Sequence, residues 1–210
     1  MTRTALPLLL VAMATSTFAG DHFRVYFGCY TNAKSGSKGI YQSDFNSTTG
    51  DLTDPELSVE TASPSFLAIH PTKKYLYAVG EMGSADKKGG AVSAFTISPT
   101  DGKLTLINQS STVGPGPCHV SVDKTGKMAM IANYGSGSVA SYLIQENGGL
   151  SEAKTFIQHE GSGPDPKRQA GPHAHSMNVS LDNRYGFACD LGLDKVFIYQ
   201  LDPTAGQFKA

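Results

Sequence analysis

Hydrophobic and polar residues alternate along most of this chain in short runs, a pattern that predicts β-strands. Three stretches repeat one arrangement, in which an alternating strand, a polar turn and a second, more apolar strand follow each other: residues 64–81, 117–134 and 174–191. A glycine-containing turn and a third strand come after each, as in GSGSVASYLI and LDKVFIYQL. No stretch keeps the helical apolar spacing over two turns, which argues against a helical solenoid. The sequence therefore predicts an all-β chain built from repeats.

The repeat has a period slightly above fifty residues, since Pro64 and Pro117 are 53 positions apart and Asn133 and Asp190 are 57 apart. Units of about forty to fifty residues with four strands each are typical of β-propeller blades. Tandem β-sandwich domains are the structural alternative, but they need about 100 residues per unit. The first segments, VYFGCYT, KGIYQSDF and NSTTGDL, match only the second half of a unit. We therefore expect a β-propeller of about three and a half blades.

So few blades raise the question of closure, because propellers close with about four to eight. An open arc exposes an apolar flank and an unpaired strand edge. A tight four-bladed ring, a fragment of a larger propeller and a ring completed by another copy are the three alternatives. We favour the fragment.

The first twenty residues, MTRTALPLLLVAMATSTFAG, have the pattern of an export signal. Arg3 supplies a positive start, 5–14 is an apolar run too short to span a bilayer comfortably, and small residues precede a cleavage point after Ala19. A buried N-terminal strand or helix is the alternative. We predict a signal peptide over 1–19, a propeller domain over 20–210 and an exported protein with no membrane contact after cleavage.

Composition argues against several classes of partner and cofactor. The formal net charge is −1 and 17% of the residues are charged, which argues against nucleic acid as a partner because phosphate contacts need a basic face. Three cysteines occur without a CxxC spacing, which argues against a zinc site or redox pair. We expect them to be small buried side chains, with one disulfide as the alternative in an exported protein.

The segment GPHAHS supplies the main candidate chemistry, because it places His173 and His175 two positions apart at the start of a predicted strand. Lys167 and Arg168 lie just upstream. A neutral imidazole suits a general base, and the two cations suit a phosphate or carboxylate. Ordinary polar residues at a strand edge are the alternative. No third ligand lies at a metal-site spacing, no GxSxG occurs, and YGSGS lacks the spacing of a phosphate-binding loop.

Two long stretches, GPCHVSVDKTGKMAMIANYGSGSVASY and GPDPKRQAGPHAHSMNVSLDNRYGFACDLGLDKVFIYQLDP, resemble the lactonase family of seven-bladed β-propellers. That family contains the propeller-type 6-phosphogluconolactonases and is related to the carboxymuconate cyclases. The opening VYFGCYT and SKGIYQSDFNSTTGDL are similar as well. The resemblance implies seven blades, which need about 350 residues at this period, so that this chain corresponds to the N-terminal half.

The activity implied by the resemblance is hydrolysis of a sugar lactone without a cofactor, above all of 6-phosphogluconolactone in the pentose phosphate pathway of carbohydrate metabolism. A muconate-type cyclase and a non-catalytic binding scaffold are the alternatives. His175 matches the position of the histidine proposed to act in the cyclase branch, whose arginine and glutamate partners belong to motifs beyond residue 210. We predict His175 as the base, Arg168 and Lys167 as anion holders, and His173 as an orienting residue or oxyanion donor.

Overall fold

The computed structural model describes residues 21–81 and 90–209, and they contain strands and turns but no helix. No helix long and apolar enough to cross a membrane is therefore found in these two ranges. The predicted signal peptide, 1–19, lies outside them. In chain order the described strands are β1 (His22–Gly28), β2 (Gly39–Asn46), β3 (Glu56–Glu60), β4 (Leu67–Ile69), β5 (Tyr75–Gly80), β6 (Ala91–Ile97), β7 (Leu104–Ser111), β8 (Pro117–Val122), β9 (Met128–Asn133), β10 (Ser138–Ile144), β11 (Leu150–Gln158), β12 (Ala174–Val179), β13 (Tyr185–Asp190), β14 (Lys195–Asp202) and β15 (Gln207–Lys209).

These strands form four antiparallel sheets in which neighbours in the sheet are also neighbours in the chain. Blade 1 contains β1–β3, blade 2 contains β4–β7, blade 3 contains β8–β11 and blade 4 contains β12–β15. Four-stranded meanders repeated side by side are the architecture of a β-propeller. The predicted all-β fold, a partial propeller, is confirmed.

The blades also have the predicted internal order. The second strands β5, β9 and β13 each have six residues and end at equivalent positions, namely Gly80, Asn133 and Asp190. Blade 1 has three strands, in agreement with a sequence that matches only the later part of a unit. The repeat therefore corresponds strand by strand to one blade.

The hydrophobic core lies between successive blades, and β9 shows how it is built. All six residues of β9 are buried. Ala129 and Ile131 pack in a cluster with residues of blade 2, whereas Met128, Met130 and Ala132 pack with residues of blade 4. Because side chains of a strand alternate between the two faces of its sheet, a strand covered on both faces has to be apolar at every position.

The outer face of blade 4 is not covered by any described residue. Along β14, Phe197 and Tyr199 face blade 3, while Val196 and Ile198 face outward and are 58% and 57% exposed. At the other end of the described chain, Phe23 of β1 is 56% exposed. The apolar flanks expected for an open arc of blades are therefore present.

The cysteines differ from the expectation of three buried side chains. Cys29 and Cys118 are half-buried, Cys189 is exposed, and all three are free thiols. Cys189 lies on the outward face of β13, where strand alternation in an uncovered blade leaves it in solvent. The sequence pattern of an apolar strand predicted burial because it does not reveal whether another blade covers that face.

Candidate functional site

The first strands of blades 3 and 4 lie side by side and share an irregular start. A β-bulge falls at Cys118 in β8 and at His175 in β12, so each of these residues has no partner in its ladder. The Cys118 thiol donates to the carbonyl of His175 at 3.4 Å, and the Ser121 hydroxyl donates to the carbonyl of Met177 at 2.6 Å. The two strand starts are thus fixed to each other, and we call this end of the blades the mouth.

The ring of Tyr134, the first residue after β9, organises the side chains at the mouth. His173 stacks on its face with ring centroids 4.5 Å apart and an interplanar angle of 16°, and His175 meets its edge at 5.7 Å and 87°. The Arg168 guanidinium donates to the Tyr134 hydroxyl oxygen at 3.5 Å. We call Tyr134, Arg168, His173 and His175 the mouth cluster. It brings three of the four predicted site residues around one aromatic ring that the sequence did not single out.

His173 is the most firmly held member of the cluster. Its backbone N–H donates to the Asp190 carboxylate at 2.8 Å, and its ring Nδ1 lies 2.9 Å from the carbonyl oxygen of Tyr134. Because a carbonyl only accepts, Nδ1 carries the hydrogen, and the neutral ring then keeps a lone pair on Nε2. In this tautomer the imidazole accepts a proton, and donation to an oxyanion requires the imidazolium form.

His175 is exposed, and its ring makes no hydrogen bond with any residue in the described ranges. Burial of this ring among apolar side chains would exclude a catalytic role, and the ring is instead exposed to solvent. Both nitrogens are free to contact a bound molecule or water, the access that a general base needs.

The two predicted cations differ in placement. Arg168 is exposed but reaches the Tyr134 hydroxyl. Lys167 is also exposed, and its ammonium group makes no ion pair or hydrogen bond with a described residue; only its backbone N–H is engaged, donating to Asp165 at 2.9 Å. The structure therefore joins Arg168 to the mouth cluster and leaves the Lys167 side chain outside it.

His119, which sequence reasoning did not select, lies behind His175 in the wall of the mouth. Its ring packs on Phe66 with centroids 4.4 Å apart, and its Nδ1 accepts a hydrogen bond from the backbone N–H of Met177 at 3.3 Å. Burial and, to a smaller extent, the charge of His175 lower the pKa of His119 to about 4. The repeats carry the signal that would have found His119. Phe66, His119 and Ser176 are equivalent in the three blades, and His119 is the histidine among them, one position after the equivalent of His175.

A second polar contact joins the loop after β1 of blade 1 to the end of β5 in blade 2. The Tyr30 hydroxyl donates to the Glu81 carboxylate at 2.7 Å, and this hydrogen bond together with burial raises the pKa of Tyr30. Burial and the charge of Glu81 raise the pKa of the Cys118 thiol to about 11. Glu81 follows β5 as Tyr134 follows β9, so the residue after the second strand faces the mouth in both blades. Within residues 21–81 and 90–209 no group of three or more His, Cys, Asp or Glu is arranged to hold a metal ion.

Comparison with known proteins agrees with this architecture. The chain matches the family model described as Lactonase, 7-bladed beta-propeller, over residues 24–210. A Bacillus subtilis (strain 168) protein named 6-phosphogluconolactonase is 37% identical over 176 residues, 84% of this chain and 48% of that protein. A crystallised candidate 6-phosphogluconolactonase of Bacteroides fragilis is 34% identical with a TM-score of 0.81, over 90% of this chain and 52% of that chain. The periplasmic gluconolactonase of Pseudomonas aeruginosa is 31% identical with a TM-score of 0.79, over 87% and 51%.

Sheets of this topology with a polar mouth define part of a β-propeller with a candidate small-molecule site. The chain belongs to the lactonase family of seven-bladed β-propellers, which confirms the family indicated by its sequence motifs. It spans about half the length of the curated relatives it matches.

Proposed function

We propose that the mouth cluster takes part in the hydrolysis of a sugar lactone, 6-phosphogluconolactone to 6-phosphogluconate. One observation carries the proposal, namely that His173, His175 and Arg168 meet on the ring of Tyr134. This placement combines two imidazoles with a guanidinium, which suits an anionic substrate that is opened by water. Relatives named 6-phosphogluconolactonase support the choice of lactone.

In the proposed reaction His175 is the base. A water oxygen attacks the lactone carbonyl carbon while the imidazole takes one of its protons, and the carbonyl oxygen becomes an oxyanion. The bond from that carbon to the ring oxygen then breaks, and the ring oxygen receives the proton from the imidazolium. The products are a hydroxyl and a carboxylic acid, which loses the second proton of the water to solvent and becomes a carboxylate. No covalent enzyme intermediate and no cofactor takes part in this scheme.

Arg168 would hold the anionic group of the substrate by two parallel N–H contacts, for which its planar guanidinium is suited. The weak 3.5 Å contact with the Tyr134 hydroxyl is easily exchanged for a stronger charged one. Lys167, with its ammonium in solvent, would add charge without fixed geometry. This difference predicts that Arg168 contributes more to substrate binding than Lys167 does.

We also propose that further polypeptide of the same protein, rather than a second copy, covers the open faces at Ile198 and Phe23. The support is that relatives extend to about twice the matched length. Light scattering of the 210-residue chain tests this proposal, and the mass of a monomer, near 22.2 kDa, is expected. A stable dimer would favour the second copy if the substitution Ile198→Lys abolishes its formation.

Export remains part of the proposal. The N-terminal pattern of residues 1–19 supports it, as does the likeness to a protein described as periplasmic. An exported member would meet its lactone outside the cytoplasm. N-terminal sequencing of protein recovered from an expressing bacterium decides the point: a start at Gly20 is expected, and an uncleaved Met1 in the cytoplasm contradicts export.

Lactone hydrolysis is tested by proton release from freshly prepared 6-phosphogluconolactone, measured above the spontaneous rate. His175→Gln is expected to lower kcat at least about 100-fold, whereas His173→Gln and Arg168→Ala mainly raise KM. The matched control is His22→Gln, which removes an exposed histidine of β1 outside the cluster. These variants are made in the full-length protein, and the proposal is abandoned if that protein gives no rate above background, or if His175→Gln behaves like the control.

A further inference from the structure

A buried hydrogen-bonded pair joins blade 3 to blade 4 behind the mouth. The Nδ1 of His159, the residue after β11, lies 2.6 Å from the Asp190 Oδ2 at the end of β13. Their side chains are 1% and 0% exposed. On its other side the imidazole Nε2 lies 2.8 Å from the Tyr199 hydroxyl, and the ring stacks on Phe197 with centroids 4.0 Å apart. The proposed chemistry at the mouth does not use this pair.

The second oxygen of Asp190 leads directly to the mouth cluster. Oδ1 accepts the backbone N–H groups of His173 at 2.8 Å and Gly192 at 3.0 Å. The backbone of His173 is also held at its carbonyl, which accepts from Leu191 at 3.0 Å. A Cβ on Gly192 would lie 1.9 Å from the carbonyl oxygen of Gly171, so the chain segments that Asp190 ties together are closely packed. One carboxylate therefore connects His159 to the placement of His173.

The neighbouring blade shows that the fold does not need this pair. At the junction of blades 2 and 3, Thr112 after β7 takes the place that His159 has after β11. Asn133 takes the place of Asp190 there, and Gly116 takes the place of His173. There the Asn133 amide simply donates to the Thr112 carbonyl at 3.1 Å.

Equivalent backbone bonds are kept, since Tyr134 donates to Gly116 in blade 3 as Leu191 donates to His173 in blade 4. A neutral amide thus takes the place of the carboxylate where glycine occupies the position of His173. The buried carboxylate and imidazole occur together at the junction of blades 3 and 4, where His173 lies, although burying charged groups is costly.

We propose that His159 and Asp190 are positioning residues, which hold His173 against Tyr134 and thereby set the affinity of the mouth for its substrate. His159 donates to Asp190 and fixes the carboxylate plane, and the carboxylate then holds the backbone of His173. The substrate part of this role rests on the proposed lactonase function, whereas the placement of His173 does not.

The test uses Thr and Asn, the two residues found at these positions where blade 2 meets blade 3. In the double variant His159→Thr/Asp190→Asn of the 210-residue chain, the nuclear Overhauser effects between the His173 and Tyr134 rings are expected to fall at least about threefold. The His173 signals are assigned with His173→Gln among the six imidazoles of the sequence. Tyr199→Phe is the matched control, because it removes the other hydrogen bond of His159 and leaves Asp190 bonded to His173.

Ring contacts that persist at full strength in the folded double variant overturn the proposal, and so does an equal loss in Tyr199→Phe. If the double variant does not fold, His159→Thr and His159→Asn are compared. Asn keeps a side-chain N–H for Asp190 and is expected to preserve the ring contacts, whereas Thr is expected to lose them, and equal behaviour of the two overturns the role of His159.

Hydrolysis supplies a separate readout. In the double variant KM for 6-phosphogluconolactone is expected to rise about tenfold with kcat changed less than about threefold, the pattern of lost substrate binding. A loss confined to kcat contradicts the assigned role. Absence of hydrolysis by the unmodified full-length protein counts against the lactonase proposal alone, because the ring contacts still decide whether His159 and Asp190 position His173.

Discussion

The Nε2 of His70 lies 2.9 Å from the carbonyl oxygen of Gly126, so the turn after β4 is bonded to the turn after β8 in the next blade. Gly126 has a φ of +72°, and a Cβ there would lie 2.3 Å from the same nitrogen, which makes glycine necessary on both counts. The following pair of turns is joined by Asn183, whose amide donates to Asp123 at 2.9 Å. Contacts between turns thus join neighbouring blades at the end opposite the mouth.

Asp123 is expected to be the most sensitive residue of these turns. Its buried carboxylate accepts backbone N–H groups from Thr125, Lys127 and Met128 and the Asn183 amide. Asp123→Ala leaves these donors without a partner, so the free energy of unfolding should fall by about 3 kcal/mol, as measured by urea denaturation.

Asp182→Ala is the control for Asp123. That carboxylate pairs with Arg184 at 2.6 Å on the surface of the neighbouring turn, where water replaces lost contacts. A clearly smaller loss of stability is expected. Equal losses in the two variants would show that the hydrogen bonds around Asp123 stabilise the fold no more than a surface ion pair does.

Protonation of His119 should make stability depend on pH. The pKa of the folded imidazole is lowered to about 4, chiefly by burial and also by His175, whereas an unfolded histidine titrates near 6.5. Between these values the unfolded chain binds more protons than the folded one, so the free energy of unfolding falls as pH drops from about 6.5 to about 4. Urea denaturation across this window measures the slope.

Two variants check the assignment to His119. His119→Asn should flatten the slope, and a slope that stays unchanged would assign it to another group. His175→Gln removes the lesser of the two causes, so the pKa of His119 followed by NMR should rise slightly towards its ordinary value.

The cysteines should react with thiol reagents in order of exposure, and the raised thiol pKa of Cys118 should slow its reaction further. Burial and the charge of Glu81 hold the pKa of Cys118 near 11, so on the order of 0.1% is thiolate at about pH 8. In a Cys29→Ser background, a thiol-specific disulfide reagent should modify exposed Cys189 first. The fast phase of the reaction then belongs to Cys189 and the slow phase to Cys118. Cys189→Ser should abolish the fast phase, and Glu81→Gln should accelerate the slow phase. A fast phase that survives Cys189→Ser contradicts this order.

Tyr134 should act through its ring more than through its hydroxyl. Tyr134→Phe keeps the surface contacted by His173 and His175 and loses only the weak contact with Arg168, so KM should rise about twofold. Tyr134→Leu removes the aromatic face and should lower kcat/KM for the lactone at least about tenfold. Equal effects of the two substitutions would locate the role in the hydroxyl.

Much of the fold follows from local pattern. The repeat predicted the blades and the more apolar second strand of each unit, which in β9 is buried at all six positions. The same reasoning was wrong for Cys189, because strand periodicity does not say whether a neighbouring blade is present. For the site, the residue types around GPHAHS selected His173, His175 and Arg168, and the resemblance supported His175, but neither selected the ring of Tyr134 on which they meet.

The sequence by itself determined the strand order, the blade repeat and the family, because these depend on the spacing of apolar residues and on contiguous motifs. Only the tertiary structure decided which side chains meet between blades. His159 and Asp190 are 31 positions apart and belong to different sheets, and no local pattern pairs them. Their contact arises from the packing angle of one blade against the next, which is a property of the whole interface rather than of either segment.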